Sequence, residues 1–503
     1  MDKTKPFSIA KREVWEAYKR VKVNRGTAGV DGQTIEQLEG DLRNNLYRLW
    51  NRLSSGSYFP PPVRRVDIPK GEKSTRALGI PTVCDCIAQT VAKRYLEPIL
   101  EPLFHEDSYG YRPGRSAHQA LSIARQRCWR YDWVLDLDIK SFFDTIDWEL
   151  LLRALRRHTD CKWVLLYIER WLKAPVSMAD GTLVERNQGT PQGAVISPLL
   201  ANLFLHYVFD CWMTKHYPDI PFERYADDII CHCASEAQAR ALKDALVQRL
   251  AQCRLELHPH KTKIVYCKDA NRRSSYPEQR FDFLGYTFRP RWSKSGEGKL
   301  FVSFAPAVSE KAAKAMRQRT RRWRLHHRND LALEEVARWT RPIVMGWVRY
   351  YGRFHASALR GALRTLDDFL VRWAQRKYKR LRAHKRRAWH WLWGSTPDSL
   401  NCLRIGRWCQ RLDDRSRMNR EVHVRFWEGV GVKFSRATQL HVARTMTSER
   451  CVSPRDHKRC QAGPWLLGDP PARMRARGDM THPFCRMEGF PVVKESQPLI
   501  PLR

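Results

Sequence analysis

Two stretches of this chain set acidic residues in otherwise apolar surroundings. Asp136 and Asp138 alternate with Leu135, Leu137 and Ile139. In a strand, that alternation sends the aliphatic residues to one face and both carboxylates to the other. About 90 residues downstream, Asp227 and Asp228 lie between Tyr225 and Ile229-Ile230. The flanks are strand-like, so the acidic pair reads as the turn of a hairpin in a buried sheet. An Asp-Asp pair alone is usually a solvated turn. Two adjacent strands, however, would bring Asp138 against Asp227. Nucleotidyl transfer needs two divalent ions, one to activate a 3′-hydroxyl and one to stabilise the leaving pyrophosphate. Mg²⁺ is typically held by one or two protein carboxylates together with phosphates and waters. Two or three aspartates on rigid strands therefore make a sufficient protein kit.

The elements that must position these residues are readable along the chain. Val14, Ala17, Tyr18 and Val21 fall at helical spacing, and Thr34 with Gln37 reads as a capping box. Pro60-Pro61-Pro62 breaks the chain before an extended run from Val66 to Lys70. Residues 82–104 look helical, with Val83, Ile87, Val91, Tyr95 and Ile99 as a stripe. Asp147 can cap a helix from Trp148, and Ser197-Pro198 reads as a helix start with Ser197 as the cap. Residues 281–288 read as one strand. Residues 311–390 look almost wholly helical, with Leu359, Leu363, Leu366, Leu370 and Trp373 as a core stripe. Past residue 440 the chain is rich in Arg, Pro and Gly, with little periodicity.

The 503 residues carry 90 Lys and Arg against 53 Asp and Glu, a net +37. That excess is spread along the chain and calls for a polyanionic partner, nucleic acid first. Residues 311–390 alone hold 23 basic and 5 acidic residues. No apolar run reaches transmembrane length, the N-terminus has no signal-peptide pattern and no amphipathic helix with a lipid-facing aromatic face stands out, so no membrane partner is expected. The 14 Cys form no CxxC pair; Cys84/Cys86 and Cys231/Cys233 read as buried small hydrophobes on strands. The expectation is a cytoplasmic protein, nucleoid-associated in a bacterial cell.

Five blocks, in order, resemble the reverse transcriptases of group II introns. Asp136-Leu-Asp-Ile-Lys-Ser-Phe-Phe-Asp144 is similar to their first catalytic block, and Tyr225-Ala-Asp-Asp228 to their metal-binding hairpin. Gln188-Gly-Thr-Pro-Gln-Gly-Ala-Val-Ile-Ser-Pro198 resembles the block that positions template and nucleotide. Leu257-His-Pro-His-Lys-Thr-Lys263 and Phe283-Leu-Gly-Tyr286 resemble the next two. Arg25-Gly-Thr-Ala-Gly-Val-Asp-Gly32 looks like the extra leading block of intron-encoded enzymes. Thr340-Arg-Pro-Ile-Val-Met-Gly-Trp-Val-Arg-Tyr-Tyr351 looks like the maturase thumb.

The resemblance implies an α+β right-hand polymerase, with fingers and an antiparallel palm sheet with helices, followed by an α-helical thumb or maturase domain. It implies that Asp138 and Asp227 bind two Mg²⁺ ions with Asp228 assisting; Asp136 reads as structural. Lys70 and Arg76 would clamp a triphosphate, with Gln192 and Lys261 also at the nucleotide. Phe143 would lie under the sugar and select deoxynucleotides. Arg112 and Arg115, in Tyr109-Gly-Tyr-Arg-Pro-Gly-Arg-Ser116, would contact nucleic acid. The implied partners are intron RNA and an RNA template, a DNA primer or target, and deoxynucleoside triphosphates.

The expected divisions are an N-terminal extension (1–60), fingers and palm (61–290), thumb (291–395), a basic, candidate DNA-binding region (396–440) and a poorly ordered tail (441–503). Cys451, His457, Cys460, His482 and Cys485 are irregularly spaced, and the tail reads as lacking the Cys-pair endonuclease. Copying RNA into DNA, with intron splicing and retrohoming, is the leading reading. The alternatives are a free-standing relative in DNA repair or phage defence, a non-enzymatic RNA-binding splicing cofactor, and an RNA-dependent RNA polymerase, which Phe143 disfavours.

Overall fold

Strand and helix signals of the sequence recur in the computed structural model, which describes residues 5–69, 75–294 and 298–394. Lys70 and the regions 396–440 and 441–503 lie outside the described residues. Strands β1 (Val63–Pro69) and β2 (Thr75–Ile80) form an antiparallel hairpin. β3 (Trp133–Asp138) follows, then the short β4 (Val176–Ser177) and β5 (Leu183–Val184). β4 joins β1 in parallel, giving the sheet order β2-β1-β4-β5.

The central sheet adds β6 (Phe222–Tyr225), β7 (Asp228–Cys233) and β8 (Lys263–Tyr266), in the order β6-β7-β3-β8. All its pairings are antiparallel. β3 alternates as expected: Leu135, Leu137 and Ile139 are buried, whereas Asp136 and Asp138 are only partly so. Helices Ala117–Cys128 and Glu236–Gln252 pack against this sheet. Asp147 caps Trp148–Arg156 by accepting from the Leu150 amide at 2.9 Å, and the Thr34–Gln37 capping box is present.

A third sheet comprises β9 (Phe281–Phe283), β10 (Tyr286–Lys294) and β11 (Leu300–Val308), in the order β11-β10-β9. Helices Glu310–Arg322, Leu333–Tyr351, Ala356–Lys377 and Lys385–Gly394 then complete the described chain. The stripe Leu359, Leu363, Leu366, Leu370 and Trp373 is buried, each such side chain contributing about 1.5–3 kcal/mol of hydrophobic stabilisation. One apolar core runs from Val134 and Ile230 of the central sheet through Tyr286 and Phe288 to Val344, Trp347 and Leu363. Packing is thus continuous across residue 290. No helix of the described residues is long and apolar enough to cross a membrane.

Four local expectations are corrected. Cys84 and Cys86 lie on helix Val83–Leu100, not on a strand. Val83, Ile87 and Val91 of the expected stripe are buried, but Tyr95 is exposed, and the buried face continues instead through Ala92, Leu96 and Leu100. Residues 281–288 are two strands, because Leu284 and Gly285 both take positive φ and reverse the chain. Helix Ser197–Leu205 already includes Ser197; the hydroxyl meets Thr190 Oγ1 at 2.6 Å instead of capping.

Candidate active site

Antiparallel pairing of β3 with β7 sets Asp138 directly opposite Asp228. Opposed residues share a face, with Cα atoms about 4.5–5.5 Å apart. Asp227 precedes Asp228 in the Ala226-Asp227 turn, where Ala226 has φ +58°. Asp136 shares the Asp138 face. Burial pushes its carboxyl well up, and the charges of Asp228 and Asp138 push it further; a charged side chain is disfavoured there. Lys261 Nζ lies 2.9 Å from Asp138 Oδ2. Its segment is fixed by the His258 amide donating to the Asp138 carbonyl at 2.7 Å.

Hard oxygen donors on adjacent strands suit a hard divalent cation that keeps waters and phosphates as its other ligands. Among the described residues, no group of three or more His, Cys, Asp and Glu side chains forms a ready-made metal cage.

A buried brace lies behind the acidic turn. Arg224 is fully buried and meets Asp210 through two hydrogen bonds, Nε to Oδ1 at 2.7 Å and Nη2 to Oδ2 at 2.6 Å. Its Nη1 donates to Asn202 Oδ1 at 3.0 Å and to the Ala226 carbonyl at 3.3 Å. Asn202 in turn donates to the Gly110 carbonyl at 2.7 Å. Burial alone would raise the Asp210 carboxyl, but the Arg224 charge and hydrogen bonds, with His206 nearby, hold it at about 2. Gly110 packs so tightly that a Cβ there would lie 2.4 Å from the Ala226 nitrogen. Sequence reasoning missed this brace. Its one signal was the Glu223-Arg224 pair in the short strand leading into the acidic turn, since a buried charge demands a partner.

Of the residues expected at the nucleotide, Arg76 and Gln192 are brought together. Arg76 Nε donates to Gln192 Oε1 at 2.5 Å, and Gln192 Nε2 to Asp144 Oδ2 at 3.4 Å. The Gly79 amide donates to the Gln192 carbonyl at 2.7 Å. Gly193 has φ +117°, and a Cβ there would meet the Gly79 carbonyl oxygen at 2.5 Å. The close approach allowed by Gly193 is thus made to the β1–β2 hairpin. Phe143 is buried beside Phe142, their rings edge to face at 5.4 Å, and its carbonyl accepts from the Thr190 amide at 2.7 Å.

Arg112 needs correction. Its side chain is 5% exposed and ion-paired with Glu101. It also donates to the carbonyls of His105, Ser108 and Glu101. Its donors hold the loop together and do not face a ligand. Arg115 is exposed, with its guanidinium 5.8 Å from the Tyr109 ring centre.

Tyr350, from helix Leu333–Tyr351, comes close enough for the Asp228 charge to raise its hydroxyl pKa, after the larger effect of burial. The Tyr350 carbonyl accepts from Tyr286 Oη and from His118 Nε2, the latter at 2.9 Å. The His118 ring stacks on Tyr350 with centroids 5.0 Å apart. Burial lowers the His118 pKa to about 4, so the ring is neutral at pH 7 and donates through Nε2–H. Tyr350 Oη donates to the Leu284 carbonyl at 2.9 Å. These ties join residues too far apart in sequence for any spacing rule.

The chain matches the family described as Reverse transcriptase (RNA-dependent DNA polymerase) over residues 68–288. It matches the group II intron, maturase-specific domain over residues 313–391. It belongs to the group II intron reverse transcriptase/maturase family, and its enzymatic class is RNA-directed DNA polymerase. These domains imply nucleic acid partners, and the family normally works with divalent metal ions.

Among its relatives, Protein YkfC of Escherichia coli (strain K12) is 33% identical over 56% of this chain and 80% of the relative. The group II intron-encoded protein LtrA of Lactococcus lactis subsp. cremoris is 35% identical over 38% of this chain and 32% of LtrA. The putative COX1/OXI3 intron 1 protein of Saccharomyces cerevisiae is 32% identical over 40% of this chain and 24% of that protein. The matched segments thus span about a third of LtrA and a quarter of the yeast protein.

Proposed function

We propose that this protein copies RNA into DNA by two-metal nucleotidyl transfer, and that it binds intron RNA to promote splicing and retrohoming. The observation that carries the reading is the register of Asp138 opposite Asp228, with Asp227 in the adjoining turn. The layout is a right hand. β1–β2 and the N-terminal helices act as fingers, the central sheet as palm, and the helices after β11 as thumb.

Asp138 and Asp227 would hold two Mg²⁺ ions, with Asp228 assisting. Bound there, the ions supply activation of the primer 3′-hydroxyl and charge stabilisation of the leaving pyrophosphate. The protein groups bind and orient. Arg76, joined to Gln192, grips the triphosphate, with Lys70 as its expected partner. Lys261, beside Asp138, meets the same phosphates. Phe143 closes the pocket below the sugar, leaving no room for a 2′-hydroxyl. Arg115 takes a phosphate of the template or primer.

The test is Asp227→Ala/Asp228→Ala in the full chain, assayed with an oligo(dT)-primed poly(rA) template. Mg²⁺-dependent DNA synthesis should be abolished while RNA affinity is kept. Synthesis at the unaltered rate would overturn the reading.

A further inference from the structure

β10 and β11 pair along their whole lengths, from Tyr286 opposite Val308 to Lys294 opposite Leu300. β9 covers only Tyr286–Phe288. Beyond that point the two strands run on as a ribbon. Its inner end is core, with Phe288 and Phe304 fully buried. The outer end is the reverse: Trp292 is 69% exposed, Leu300 65% and Phe301 39%.

The register fixes which side chains share a face. Trp292 opposes Val302 and Lys294 opposes Leu300, so Trp292, Lys294 and Leu300 lie on one face. Phe301 opposes Ser293 and lies on the other, which also carries Arg289. Between residues 286 and 308 the sequence holds four cations, Arg289, Arg291, Lys294 and Lys299, and one acid. Arg291 is spent on the carbonyls of Ala305 and Thr287.

An exposed two-stranded edge with large apolar side chains is an association hazard unless a partner covers it. We propose that this ribbon is a docking element for folded RNA. Trp292 stacks on an unpaired base, and Arg289, Lys294 and Lys299 hold the neighbouring phosphates. The proposal rests on the reading of this chain as an RNA-binding intron protein. Charge decides the class of partner, because an aromatic flanked by several cations and almost no acid matches a polyanion with π-faces. The Ala270 amide donates to the Val302 carbonyl at 3.0 Å on the β11 edge, so the open edge is that of β10, along which a single strand can reach the apolar groups of both faces. Folded RNA offers such bases in loops and bulges.

The test uses the full chain without nucleotides, so it does not depend on whether the chain polymerises. The probes are an RNA stem-loop with an adenosine-rich loop and a blunt RNA duplex of the same stem, each followed by fluorescence anisotropy. Trp292→Ala should weaken stem-loop binding at least about fivefold. Duplex affinity and thermal midpoint should not change, and Trp292→Phe should restore the loss. A 4-thiouridine placed in the loop should crosslink to residues of β10 or β11. Unchanged stem-loop affinity in Trp292→Ala would overturn the proposal, as would an equal loss on both probes. So would self-association of the wild-type chain that Trp292→Ala abolishes, because the ribbon would then serve a second copy.

Discussion

Arg224 and Gly110 control a carboxylate that neither of them touches. Arg224 fixes the Ala226 carbonyl from behind, and Gly110 is the only residue type that fits against the Ala226 nitrogen. Deleting the guanidinium strands Asp210 in the core, so Arg224→Ala should cost about 3–5 kcal/mol of stability. Gly110→Ala is the sharper experiment. The added methyl pushes the turn bearing Asp227, and a displacement of roughly 1 Å at a reacting centre costs on the order of 10²-fold in rate. Single-turnover extension should slow by about that factor, with the KM for deoxynucleotide little changed, and because the methyl meets backbone the thermal midpoint should fall as well. A normal rate would show that the turn yields freely. The carboxylates themselves were readable, because alternation on β3 declares which way Asp138 points. The brace was not, because Gly110, Asn202, Asp210 and Arg224 come from separate elements. Arg112 misled for a related reason: a cation in a family loop looks free until its carbonyl partners are known.

Helix Ala356–Lys377 carries an element-wide cost. Asp367 has one carboxyl oxygen buried without a hydrogen-bond partner among the described residues. Burial, with Asp368 adding, raises its pKa from 3.8 to about 7. The folded helix therefore prefers the protonated acid. Its stabilising effect is complete below about 3.8 and is lost as pH rises through about 7. Asp367→Asn removes the titration. Its thermal midpoint should exceed that of the wild-type chain, by a margin that grows from pH 5 to pH 8 and reaches at least about 3 °C. A constant margin would refute the assignment. Helix faces were otherwise well read from the sequence. Val14, Ala17, Tyr18 and Val21 are all buried, as is the leucine stripe of Ala356–Lys377. The strand at 281–288 was misread because periodicity says nothing of two consecutive residues at positive φ.

The net charge of +37 belongs to no single element. If RNA engages 6–10 of these cations, its affinity should fall roughly 10³–10⁵-fold between 50 and 200 mM salt. Titrating KCl against a labelled RNA measures the slope, and a flat profile would remove the phosphate tracks from the account. Composition alone conveyed this much, whereas the joint between the polymerase and maturase matches did not show in it. That joint is the apolar core running from Val134 and Ile230 to Leu363, tied by the Tyr350 carbonyl. Chemistry and architecture are therefore separable in one direction only. A descendant could lose its aspartates and keep its packing, but it could not shed the sheet that bore them, because the helical part would be left with half a wall.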